Sequence, residues 1–302
     1  MKRIIYKFKF ETGVHLGNRA LSGSVNTFQA DTLFSALCIE AKKMGGDENI
    51  NKFINEVRSG NIKISDSFPY VEKTLFIPRP CAITENTKCP EALEYIPSDA
   101  INNYLEGKLD FDNVNKILKN LGKNEERNVA SIRNNDVAEP YYLSIYRFFN
   151  NSGLYIIAEF NNDENKKYFD ELMKSLSYTG IGGRVSSGLG KFSLTEEAIS
   201  KEMNKRFDNA KNSKLKMSIS LCLPKESEIK KALEGAFYKL EKRSGFVSSE
   251  SYSASISRKK DIYVIKSGAC FENNFEGDIV DVSRGGNHPV YRYAKPLFME
   301  VI

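Results

Sequence analysis

The sequence predicts an α+β protein of two strand-rich units, and three observations carry that prediction. Apolar residues alternate at period two at the start of the chain and again from Leu215. Two other stretches repeat their apolar residues at three and four, the helical spacing. In the first part of the chain these elements follow one another as strand, helix, strand, strand, helix, strand. At 302 residues the chain suits two domains of ~100–200 residues each, large enough for a core apiece.

Residues Arg3–Glu11 alternate, with Ile4, Tyr6, Phe8 and Phe10 on one side and Lys7 and Lys9 on the other, so a half-buried strand with a basic outer face is expected. A loop rich in Gly, Ser and Asn follows. Leu33, Phe34, Leu37, Cys38 and Ala41 then mark a helix over Ala30–Met44, capped by Thr27 or Asp31 and ended by Gly45 and Gly46. Asn61–Asp66 reads as a short strand. Residues 80–150, punctuated at their start by prolines, read as an insertion with a surface job, holding small helices at Ser98–Leu105 and Phe111–Leu121. Strand material on both sides of Asn150, Asn151, Ser152 and Gly153 has the composition of a hairpin turn. A helix over Glu164–Leu176, a glycine-rich loop over residues 179–191 and a strand from Lys191 complete the unit. Without the insertion the order is that of a ferredoxin-like β-α-β-β-α-β unit, the order shared by RRM-type RNA-binding sheets. Residues 1–197 form this first domain, with a β-hairpin arm over Arg127–Phe149. Residues 198–302 form a second one, beginning with a polar helical connection and then strands at Leu215–Leu221, Ala236–Leu240, Asp261–Lys266, Gly277–Val282 and Val290–Ile302. A second ferredoxin-like unit is expected there, although its helices are poorly marked.

The loop "YTGIGGRVSSGLGKF" fails both nucleotide-phosphate patterns. Gly190 and Lys191 are followed by Phe192, and the first glycine of a P-loop would fall on Val185. The third glycine of a dinucleotide fingerprint also falls on Val185. The order here is helix, loop, strand, so the nearest helix end is a C-terminus, whose dipole repels anions. An anion held here would be held by backbone N–H groups, by Arg184 and Lys191, and by the Ser186 and Ser187 hydroxyls. Gly182, Gly183 and Gly188 let a partner backbone approach closely. An extended polyanion across the loop fits better than a buried triphosphate; the plain alternative is a mobile connection.

Forty-four basic against thirty-nine acidic residues give +5, which permits a nucleic-acid partner without demanding one. The alternating N-terminus lacks the apolar core of a signal peptide, and no apolar run approaches a membrane span. The five cysteines, Cys38, Cys81, Cys89, Cys222 and Cys270, form no C-x-x-C pair, so a reduced cytoplasmic setting without zinc is expected. Asp278 and Asp281 fall on opposite faces of a strand, and Asp110 and Asp112 suit a helix cap; no metal site and no cofactor are expected.

The glycine-rich loop after the second helix, together with "TFQADTLFSALCIEA", "KRSGFVSSESYS" at Lys242–Ser253 and "HPVYRYAKPLFMEV" at His288–Val301, resembles the RAMP superfamily of CRISPR proteins. Within it the chain is similar to the fourth-subunit family of the Csm complex, the type III-A effector. The resemblance implies two ferredoxin-like domains, no catalytic activity, and a role in clasping the single-stranded 5′ tag of crRNA. It implies as neighbours the large polymerase–nuclease subunit and the backbone RAMP subunit, and it makes the arm a wedge against the guide RNA. RNA-contacting candidates are then His15, Arg19, Arg133, the loop residues above, and Lys242, Arg243 and Ser244. The rival reading is a metal-independent endoribonuclease using His15, with Tyr6, Lys7 and Arg19 near it in sequence. A pure scaffold that touches no RNA is a third.

Overall fold

A computed structural model describes residues 1–18, 20–82, 93–133, 137–249, 251–253 and 255–302. The side chains of 18, 20–23, 131–133 and 137–139 are outside that description.

The chain opens with β1 (Lys2–Phe10), a small hairpin β2 (Leu16–Asn18) and β3 (Ala20–Val25), and α1 (Ala30–Arg58). The expected stop at Gly45 and Gly46 is instead a kink: both leave helical geometry, Gly46 at φ 65, and the helix resumes through Phe53, Ile54 and Val57, all buried. Neither Thr27 nor Asp31 caps α1. The Asp66 carboxylate, distant in sequence, accepts from Ala30 N at 2.8 Å and satisfies a backbone donor at the buried helix start.

Next come β4 (Ile62–Ile64), β5 (Phe68–Val71) and β6 (Thr74–Pro78). The stretch read as an insertion then gives β7 (Tyr95–Pro97), α2 (Ile101–Leu105), α3 (Phe111–Leu118), β8 (Gly122–Arg133) and β9 (Val137–Phe148). It is not a surface addition throughout: Ile96, Ile101, Tyr104, Val114 and Leu121 belong to the main core. Asp110 caps α3, accepting from Asn113 N at 3.0 Å.

The first half ends with β10 (Ser152–Phe160), α4 (Asp163–Thr179) and β11 (Phe192–Ala198). Asn162 caps α4 and Asp163 and Glu164 fill its first turn, where negative charge suits the helix dipole. The strands flanking Asn150–Gly153 do not pair with each other. β9 pairs with β8 over the whole arm, while every residue of β10 is buried in the main sheet, between β1 on one side and β4 and β5 on the other.

The main sheet runs β11-β1-β10-β5-β6-β7, with β4 also on β10, and every pairing is antiparallel. Counting one strand for β4 and β5, its centre reads last, first, third, second, with crossovers through α1 and α4. Tyr6 and Phe160 pack on Phe169 of α4, and Phe8 packs on Phe28, just before α1. The opposite face is not simply basic. Arg3 is buried against Glu159 and Asp208, both at 2.6 Å, and its guanidinium lies over Phe207.

Phe207 is on α5 (Lys201–Asn209), which opens the second half. It is followed by β12 (Lys216–Ser218), the four-residue α6 (Ile229–Ala232), β13 (Leu240–Arg243), β14 (Ile262–Ile265), β15 (Cys270–Phe271), β16 (Asp278–Asp281), β17 (Tyr291–Ala294) and β18 (Phe298–Glu300). These strands form one three-stranded sheet, β15-β12-β18, and two ribbons, β13-β14 and β16-β17. Among the described residues α6 is the sole helix after α5, so the second β-α-β-β-α-β order read from the sequence is not seen.

One hydrophobic core crosses residue 198: Met203, Phe207, Met217, Ile219, Tyr293 and Met299 share it with the main sheet. Polar ties reinforce it. Tyr293 Oη accepts from Ile64 N at 3.0 Å, and Asp66 accepts from Leu221 N at 3.1 Å. Asp31 at the start of α1, almost fully buried, binds Arg243 at 2.7 and 3.0 Å and also Arg292.

Candidate nucleic-acid interface

The glycine loop is tied to its surroundings by backbone hydrogen bonds. Its two ends are closed on each other by Ile181 N donating to Gly190 O at 3.0 Å. Gly190 N donates to Gly13 O at 2.9 Å, Gly183 N to His15 O at 2.8 Å, and Glu11 N to Lys191 O at 2.9 Å. At Gly190, with φ 75, a Cβ would sit 2.0 Å from Ile181 O, so only glycine permits this closure. Ile181 and Leu189 are buried anchors, Leu189 against Leu143 and Ile145 of the arm.

Between the anchors the chain makes a single 3-10 turn, Val185–Ser187, entered through Arg184 and left through Gly188, both left-handed. The left-handed conformation is costly for arginine and turns its side chain outward. Gly182, Arg184, Ser186, Ser187 and Lys191 are exposed together. The Arg184 guanidinium lies 5.5 Å from the centre of the Tyr141 ring on the arm. Among the described residues no carboxylate lies within ion-pair distance of Arg184 or Lys191. Two cations and two hydroxyls are thus exposed together on a glycine-lined surface, donor chemistry that suits an anion.

His15 is the strut of this assembly. It is buried, bridges to Gly183, and its Nδ1–H donates to Ser144 O of β9 at 2.7 Å. One residue earlier, Val14 bridges to Tyr146. The chain after β1, the base of the arm and the glycine loop are therefore one unit. The residues that would complete a histidine nuclease are engaged elsewhere: Tyr6 donates to Asp170 at 2.6 Å and Lys7 pairs with Glu197 at 2.8 Å. Arg19 lies outside the described residues, as does the side chain of Arg133, whose backbone ends β8.

The "KRS" candidates are not brought to the loop by any contact. Lys242 points outward beside Asp261 at 2.9 Å. Arg243 is a correction: its guanidinium is committed to Asp31 and, at 3.1 Å, to Glu241, a structural tie rather than an open contact. Ser244 O accepts from Arg292 Nη2 at 2.7 Å. Burial alone would raise the Asp31 carboxyl, but the Arg243 and Arg292 guanidiniums overcome it and hold the group below its usual range. A cleft of about 380 Å³ at the foot of the arm is lined by Asn26, Asn124, Tyr146, Glu241 and Lys266. At its floor burial pushes the Asp66 carboxyl up to about 6, against the pull of its Ala30 and Leu221 N–H donors.

Sequence reasoning missed Tyr141 and Asp31. Tyr141 was unremarkable strand material; Asp31 was visible only as a cap candidate, since its partners are more than two hundred residues away.

Residues 7–193 match the RAMP superfamily, and residues 211–301 match the CRISPR Csm4 C-terminal domain. The chain is 33% identical to the CRISPR system Cms protein Csm4 of Mycobacterium tuberculosis, over 99% of this chain and 98% of that one. It is 31% identical to the Csm4 of Streptococcus thermophilus over 98% of each. Among solved structures it resembles a chain of a Csm3–Csm4 subcomplex from a type III-A interference complex (TM-score 0.68, 19% identity, 99% of each chain). It also resembles a chain of a Csm1–Csm4 cassette in complex with pppApA (TM-score 0.56, 17% identity, 99% and 98% covered). The chain belongs to the Csm4 family, within the RAMP superfamily of CRISPR proteins.

Proposed function

We propose that this protein is a non-catalytic, RNA-binding subunit of a cytoplasmic type III-A CRISPR effector acting in antiviral defence, and that its glycine loop clasps the single-stranded 5′ tag of crRNA. The observation that carries the reading is the pinned loop, which presents Arg184, Ser186, Ser187 and Lys191 outward with no carboxylate within ion-pair distance of either cation among the described residues. A rigid donor set loses little entropy on binding, and phosphate contacts hold single-stranded RNA without reading bases. Relatives of the same family were solved with Csm3 and with Csm1; by likeness, this chain joins the backbone RAMP subunit to the large subunit. The ferredoxin-like reading is kept for residues 1–197, on the strand order of the main sheet, with α5 as the connection into 198–302.

The test is guide-RNA binding by Arg184→Ala/Lys191→Ala across a salt series, with the native and a scrambled tag. Both RNAs should lose affinity about equally, and the log–log salt slope should flatten by roughly 0.7 per lost contact. Unchanged affinity and slope on both RNAs would leave the loop as scaffold only. The unmodified protein should leave repeat-containing transcripts intact with or without Mg²⁺; cleavage abolished by His15→Ala would establish the nuclease instead.

A further inference from the structure

The β13-β14 ribbon presents a second surface that the glycine loop does not account for. Its inner face, Glu241 and Arg243 with Val264 and Ile262 opposite, turns toward Asp31 and the core. Its outer face pairs Lys242 with Tyr263 directly across the strands, with Leu240 two residues along. Tyr263 is 60% exposed and Leu240 59%, and Phe237 and Tyr238 just before the ribbon are also exposed. The surrounding charge favours an anionic occupant over a protein one. Lys242, Arg258 and Arg284 surround the Asp261 carboxylate on this side, whereas Arg243 and Lys266 are taken by Asp31 and Glu94. The Lys242–Asp261 pair is at the surface, with both side chains 39% exposed, so it competes weakly with a phosphate.

We propose that the outer face of this ribbon is a stacking platform for unpaired RNA bases, with the Tyr263 ring under a base and Lys242 on the adjoining phosphate. Aromatic side chains on a strand with a neighbouring cation are the usual means of holding single-stranded RNA, because every base has a face to stack. The proposal rests on the RNA-binding reading above but not on the glycine loop.

The full chain is titrated with a short single-stranded RNA carrying 2-aminopurine, whose fluorescence falls when the base stacks. Tyr263→Ala should weaken binding between about fivefold and about 100-fold and abolish the quench, while Tyr263→Phe keeps both. Lys242→Gln should lower the salt slope by roughly 0.7 with the quench retained. Tyr263 is exposed, and an unchanged melting temperature for Tyr263→Ala confirms that the variant is folded. If Arg184→Ala/Lys191→Ala weakens binding while Tyr263→Ala leaves affinity and quench unaltered, the platform is refuted and the loop reading stands. If Tyr263→Ala weakens binding and the loop variant does not, the platform stands alone. If Tyr263→Ala binds RNA normally but loses a neighbouring subunit in co-purification, the ribbon is a protein-docking face and the proposal falls.

Discussion

Replacing Asp31 by asparagine removes the charge that ties the start of α1 to the second half while nearly preserving shape. In the native chain this carboxylate accepts from Arg243 Nη2 at 2.7 Å and Nε at 3.0 Å, and from Arg292 Nη1. Removing one partner of a buried ion pair costs about 3–5 kcal/mol, because the other charge stays desolvated. Here two guanidiniums are stranded. Arg243 keeps Glu241 at 3.1 Å and Arg292 keeps the Ser244 carbonyl at 2.7 Å, so the lower end, about 3 kcal/mol, is expected. At about 2–4 °C per kcal/mol the melting temperature should fall by roughly 6–12 °C by calorimetry. The loss should depend on pH. The folded pKa of Asp31 lies below its unfolded value, so its contribution is complete above the unfolded value of ~3.9 and is lost as pH falls below that. The difference between Asp31→Asn and the native protein should shrink in that acid range. The triple variant Asp31→Leu/Arg243→Leu/Arg292→Met should recover most of the loss, since apolar replacement of a whole buried cluster is often neutral. A fall of less than ~2 °C for Asp31→Asn at neutral pH, below about 1 kcal/mol, would refute the idea that this carboxylate welds the halves.

Asp66→Asn should act in the opposite sense. With the folded pKa raised to about 6 from 3.8, ionisation destabilises the fold as pH rises between those values. Urea unfolding should show a gain of up to about 3 kcal/mol above pH 6 that vanishes near pH 4. Gly190→Ala and Gly188→Ala should separate conformation from closure. Both sites have positive φ, but a Cβ meets nothing within 4 Å at Gly188 and meets Ile181 O at 2.0 Å at Gly190. Hydrogen exchange at the Ile181 amide should accelerate strongly only for Gly190→Ala. Tyr141→Leu removes the ring under Arg184 and should weaken RNA binding by less than Arg184→Ala does, with no further loss in the double variant. An additive double variant would show that Tyr141 and Arg184 act separately.

The sequence by itself determined the elements whose residues meet their partners locally. Alternation along Arg3–Phe10, the apolar repeat at Leu33–Ala41 and the apolar face of Phe169, Leu172, Met173 and Leu176 are each short-range patterns, and each element begins close to where it was read, although α1 runs on past Gly46 to Arg58. The strand order of the first half followed from these because connection rules leave few arrangements for such a chain. Other features depended on pairings between distant segments. The two strands around Asn150–Gly153 look like a hairpin, yet β10 is taken by β1 and β5, whose combined burial exceeds what an exposed hairpin with β9 offers. Arg243 has the chemistry of an RNA contact, but Asp31, brought beside it only by folding, claims its guanidinium. Arg184 and Lys191, with the same chemistry, have no carboxylate within ion-pair distance among the described residues. A residue's charge is written in the sequence, but whether that charge is spent inside the protein or left for a partner is set by long-range contacts, and only the tertiary structure decided it.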